Sequence, residues 1–122
     1  MTTQAIDIPD LILRLKQFAE ERDWEQFHAP KNLVMALSVE TSELLEHFQW
    51  LTNEASENLS DEAKQEVAYE VADVFIYLMR LVERLDIDLA TVVEDKIKIN
   101  AKKYPVEKAK GKADKYTAYE EG

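Results

Sequence analysis

Leu33, Leu37, Leu44, Phe48 and Leu51 recur at helical spacing, and Glu40 stands in the middle of the stripe they form. A carboxylate on a face built to meet a core needs a physical reason, because burial without a counter-charge is costly. The same period of apolar positions predicts three further helices. Asp7 and Pro9 open the first, with Leu11, Leu15, Phe18 and Arg22 along one side. Pro30 suits the first turn of the second, predicted from about Lys31 to beyond Trp50. Ser60, followed by Asp61 and Glu62, caps a third that reaches about Arg84. Asp88 opens a fourth, which stops near Tyr104 because Pro105 disfavours a helical residue before it. No strand-like alternation competes. The prediction is an all-α four-helix bundle over residues 1–105, with an extended tail over residues 106–122 that contains Gly111.

The third helix is apolar nearly all round: Val67, Val71, Val74, Phe75, Ile76, Leu78, Met79 and Leu81 leave no polar side. Such a helix expects cover on every side, from its own bundle and from another copy of the chain, so a homo-oligomer is predicted. Glu70 and Asp73 are set into it, as Glu40 and Glu43 are set into the second helix. Acidic pairs three residues apart arise by chance in a chain with 25 acidic residues, and most are solvated. That explanation fits Glu40 and Glu70 badly. Within the two apolar stretches only His47 and Arg80 offer positive charge, and Arg80 points away from Glu70. Facing carboxylates repel one another and are driven towards protonation, and a hard divalent cation removes both problems. Redox di-iron bundles need Glu-x-x-His on two helices, which this chain does not supply. All-oxygen ligation by Glu40, Glu43, Glu70 and Asp73 therefore favours Mg²⁺, with Mn²⁺ as the alternative.

Composition narrows the rest. The 122 residues carry a net charge of −10, which argues against a nucleic-acid polymer as partner. Eight lysines nevertheless gather between Lys96 and Lys115, where ammonium groups suit a small polyanion. No cysteine is present, so thiolate ligands and cysteine nucleophiles are excluded. The greasiest run, Val71 to Val82, contains Asp73 and Arg80 and is too short to span a bilayer. Asp7 and Asp10 interrupt any leader-like apolar run, so a cytoplasmic location is expected.

Several ordered motifs add to this reading. Glu40-x-x-Glu43 and Glu70-x-x-Asp73 follow "RDWEQFH" and precede "KIKINAKKYP" and a late "DKYT", with "ELLEHFQW" and "DVFIYL" between. This set, from Leu11 to Thr117, resembles the MazG-like all-α nucleotide pyrophosphohydrolases, in particular their dCTP pyrophosphatase branch. The resemblance implies cleavage of a nucleoside triphosphate, dCTP or a modified dCTP, to the monophosphate and pyrophosphate, in a tetramer. It assigns the four carboxylates to Mg²⁺ and places Lys96, Asn100, Lys103 and Tyr104 among the substrate-binding residues, with the first three able to reach the phosphates. The base would fall to Trp24 and Trp50, beside Phe27 and His28. A tryptophan by itself is more often core than platform, but Trp50 lies about 20° from Glu43 on a helical wheel. His28 either touches the base or caps a turn, and His47 is more simply a core histidine. The chain departs from its relatives at Lys103, where arginine is common, and at Val39 and Ser42, where glycines are. Two alternatives remain open on the residues: another nucleotide such as dUTP, or a helical oligomerisation module without catalysis.

Overall fold

The computed structural model describes residues 4–120, and among them every regular element is helical. Helix α1 spans Ile8–Glu21; the Asp7 carboxylate accepts the Asp10 N–H at 3.0 Å, and Pro9 sits in the first turn. Its exit passes through Asp23 in the left-handed region (φ 55°), a conformation that aspartate tolerates better than most residues. A 3-10 turn over Glu25–Phe27 then leads to α2, Pro30–Glu46. A short α3 covers Asn53–Glu57, and α4 runs the 24 residues Asp61–Arg84 behind the Ser60 cap, whose hydroxyl accepts the Ala63 N–H at 3.1 Å. Helix α5, Leu89–Lys103, begins at Asp88, whose two carboxylate oxygens accept the N–H and the hydroxyl of Thr91. A one-turn α6 (Val106–Ala109) and a 3-10 turn (Tyr116–Tyr119) complete the described chain.

The chain divides into two compact units, one ending at Asp86 and the other beginning at Ile87. In the first, α4 is the central element, with α2 lying along it and α1 making a smaller contact. Among the described residues the buried apolar side chains are Ala19, Leu33, Met79 and Val82, drawn from all three helices. This core is thin, and much of α4 stays open: Tyr69, Val71, Ile76 and Leu78 are exposed. In the second unit, Tyr104 meets Tyr116 and Tyr119 edge-on at 6.4 and 6.0 Å, and the Lys103 ammonium lies 4.6 Å from the Tyr116 ring centre.

Two predicted boundaries are corrected. The second helix stops at Glu46 and does not reach Trp50. The backbone tightens there: the N–H groups of His47 and Phe48 bond back three residues, and Thr52 caps α3 by accepting the Ala55 N–H at 3.1 Å. A threonine that caps the next helix competes with continuation of the last one. No glycine or proline marks this break, so apolar spacing ran past it. The segment after Pro105 is also less extended than predicted, since it contains α6 and the Tyr116–Tyr119 turn, with Gly111 at φ 77° between them.

Candidate metal centre

Residue spacing on two helices builds the site. Glu40 and Glu43 lie on adjacent turns of α2, Glu70 lies on α4, and these two helices make the most extensive packing contact among the described elements. One carboxylate oxygen from each of Glu40, Glu43 and Glu70 falls within 4.8 Å of the other two. All three side chains are half-buried, and Glu40 Oε2 and Glu70 Oε2 are buried with no hydrogen-bond partner. Among the described residues no lysine, arginine or histidine forms an ion pair with any of the three.

Two buried, unpartnered carboxylate oxygens at such range can be satisfied by sharing a proton or by a cation. The proton alternative shows in Glu40, whose acidity is weakened from near 4.5 to about 7. Burial is the main cause, followed by hydrogen bonding to Glu70 and the charge of Glu43, with a smaller push from Asp73. Three half-buried oxygen donors of one charge, with waters able to complete the shell, suit a hard divalent cation. Asp73 stands apart from the other three predicted ligands: it is exposed and falls outside the close trio.

The remaining predicted residues divide between the two units. Trp24 and His28 line one cavity of about 90 Å³ with Leu15, Phe18, Ala19, Ile76, Tyr77 and Arg80, a mostly apolar space between α1 and α4. The Trp24 ring packs edge-on against Phe18 at 5.8 Å and 6.0 Å from the His28 ring. Trp50 is not in this lining; past the end of α2, it is 88% exposed, so its wheel position relative to Glu43 no longer applies. Lys96 and Asn100 are exposed along α5, and Lys103 and Tyr104 belong to the tyrosine cluster at its end.

Sequence reasoning missed Tyr77 and the role of Arg80. Tyr77 was hidden in an apolar run, and only the third dimension puts it beside Trp24. Arg80 is 3% exposed and donates to Glu25 at 2.7 Å and to Glu83 at 3.1 Å, while Arg84 donates to the other Glu25 oxygen at 2.8 Å. Glu25-x-x-His28 has a di-iron spacing, yet Glu25 is committed to two arginines and His28 faces a guanidinium. That pair is unsuited to metal.

Comparison with known proteins gives the family of the chain. Residues 35–118 match the MazG-like family. The chain is 44% identical over 103 residues to dCTP pyrophosphatase 1 of Rattus norvegicus, covering 83% of this chain and 61% of that protein. It is 42% identical over 108 residues to the Homo sapiens protein of the same name, covering 87% and 64%. The chain thus spans a little under two thirds of the length of these curated relatives. A crystal structure of a pyrophosphatase from Archaeoglobus fulgidus DSM 4304 superposes with a TM-score of 0.77 at 35% identity, covering 86% of this chain and 98% of that one. No described helix is long and apolar enough to cross a membrane. By its helical fold, its ordered acidic motifs and these matches, the chain belongs to the MazG-like family.

Proposed function

We propose that this protein hydrolyses a nucleoside triphosphate, dCTP or a modified dCTP, to the monophosphate and pyrophosphate, with Mg²⁺ as its metal. The observation that carries this reading is the trio Glu40, Glu43 and Glu70, with two buried oxygens lacking partners, in a chain similar to dCTP pyrophosphatase 1. These three residues would hold the ion. When bound, such an ion neutralises charge on the phosphates and favours ionisation of a nearby water. Asp73, exposed one turn after Glu70, is the carboxylate left available to accept a proton from the attacking water. Trp24 gives the base a ring face with His28 and Tyr77 beside it, and Trp50 offers a second exposed ring. Lys96, Asn100, Lys103 and Tyr104 are assigned to phosphate oxygens on their charge, hydrogen-bonding groups and one-turn spacing.

Purified protein incubated with each dNTP and Mg²⁺ tests the reading. The expected products are monophosphate and pyrophosphate, fastest from dCTP; diphosphate and phosphate, or no turnover of any dNTP, would refute it. Trp24→Ala is expected to weaken nucleotide binding by about 1–3 kcal/mol, the usual loss of a stacking surface, without moving the scissile bond. Lys96→Ala should lower turnover of all four dNTPs and leave their ranking unchanged, and steady-state kinetics on both variants separates the two roles.

We also propose a homo-oligomer, a tetramer, as the working form. The thin core of the first unit and the groove of about 470 Å³ lined by Ile6, Leu11, Ala68, Val71, Ala72, Phe75 and Ile76 give an apolar face that a second copy of the chain would cover. Light scattering at micromolar concentration should return four times the chain mass, and a monomer would contradict the assignment.

A further inference from the structure

Among the described residues Arg80 is the one charged side chain that is buried, and it borders the Trp24 cavity. Its position is fixed from two sides: Nη2 donates to Glu25 Oε1 at 2.7 Å and Nη1 donates to Glu83 Oε2 at 3.1 Å. Glu25 is itself held, because its second oxygen accepts from Arg84. The same Nη2 lies 3.4 Å from Nδ1 of His28. A guanidinium has hydrogen-bond donors only, so the imidazole nitrogen facing it must present a lone pair. A proton on Nδ1 would point at a cation. In a neutral imidazole the proton then resides on Nε2.

We propose that Arg80, anchored by Glu25 and Glu83, is a positioning residue that fixes His28 as the neutral Nε2–H tautomer. The cavity thereby offers a bound nucleobase one hydrogen-bond donor, matched to a ring acceptor such as a pyrimidine carbonyl. The inference rests on the reading of the Trp24 cavity as the base site. Burial and the Arg80 charge both disfavour the imidazolium, with Arg84 adding to them and Glu25 opposing, and the net effect lowers the His28 pKa. The donor is therefore neutral through the physiological range, and the cavity does not gain a positive charge that would attract phosphate to the wrong end.

The test is ¹⁵N NMR of the full-length protein labelled at histidine. The chain has two histidines, and His47→Gln assigns the signals. Wild-type protein at neutral pH should show a protonated Nε2 and an unprotonated Nδ1 at His28; a protonated Nδ1, or averaging between tautomers, would overturn the proposal whatever the Arg80 variants show. Arg80→Met should release the ring into tautomer exchange and raise its pKa, Arg80→Lys should restore the wild-type pattern in part, and an Arg80→Met spectrum identical to wild type would overturn the role of Arg80. For dCTP, Arg80→Met is expected to raise KM about tenfold, the value of roughly one hydrogen bond, with kcat changed little. Titration with dCMP should shift the Nε2 signal. A dCMP that binds, by tryptophan fluorescence, and leaves both ring nitrogens unmoved would overturn the cavity reading alone, an outcome distinct from a wrong tautomer.

Discussion

Glu40→Gln and Glu70→Gln are each expected to lower kcat by on the order of 10³-fold or more, the scale of charge stabilisation that a bound divalent ion contributes. Neither change should disturb the fold. Glu40 and Glu70 meet across the α2–α4 seam with one buried oxygen apiece lacking a partner, so a glutamine at either position replaces a repelling charge with an amide that can donate to its neighbour. In chelator near neutral pH, both variants should melt at or above the wild-type temperature. In Mg²⁺ the order should reverse, because only wild type gains the stabilisation that comes from binding in the native state alone. Pyrophosphate release and thermal melts, each with and without Mg²⁺, read the two effects separately. Substantial activity in both variants would dispose of the metal centre. Low activity combined with a collapse of the melt in chelator would mean that the carboxylates are structural.

The second large effect is on pH dependence. Glu40 holds its proton up to about pH 7 in the folded chain against an ordinary value near 4.5, chiefly because it is buried and next because Glu70 and Glu43 lie against it. Between these values the native state binds more protons than the unfolded state, so this group's contribution to stability is complete below about 4.5 and is lost as pH rises through about 7. Metal-free wild type should therefore lose melting temperature from about pH 5 to about pH 8, relative to Glu40→Gln measured in parallel. The subtraction removes the general repulsion of a chain with net charge −10. Mg²⁺ should displace the proton, so its apparent affinity should tighten as pH rises through the same window. A wild-type minus Glu40→Gln difference that is flat with pH would sink the assignment.

Most of this arrangement was legible in the residues. The caps at Asp7, Ser60 and Asp88 lie where short polar side chains precede apolar periods, because an N-terminal turn needs an acceptor that the sequence displays locally. Glu40, Glu43 and Glu70 were conspicuous because carboxylates interrupting an apolar stripe have few inexpensive explanations. The end of α2 was not legible, since it depends on a competition between the tightening at His47 and the cap at Thr52. Asp73 shares its spacing with Glu70, yet a wheel projection cannot say which carboxylate faces the neighbouring helix. Tyr77 and Arg80 became informative only when packing set them beside Trp24, more than 50 residues away in the chain; no local pattern encodes that.

The early stop of α2 has an electrostatic consequence. Glu43 sits in the helix's last turn, which carries no lysine or arginine; the Leu44 and Leu45 carbonyls there accept from the His47 and Phe48 N–H groups, and the run of aligned peptide units ends at this point. Aligned peptide dipoles give such an end a partial charge of about −0.5. Had the helix continued to Trp50, that charge would stand about 6 Å farther along the axis. Where it stands, it adds to the carboxylates' repulsion when no cation is present and to the pull on a cation that arrives, by about 0.3–1 kcal/mol in a partly exposed setting. Unlike the carboxylates, a peptide dipole does not titrate. The backbone thus supplies a share of the attraction that persists when falling pH has protonated Glu40.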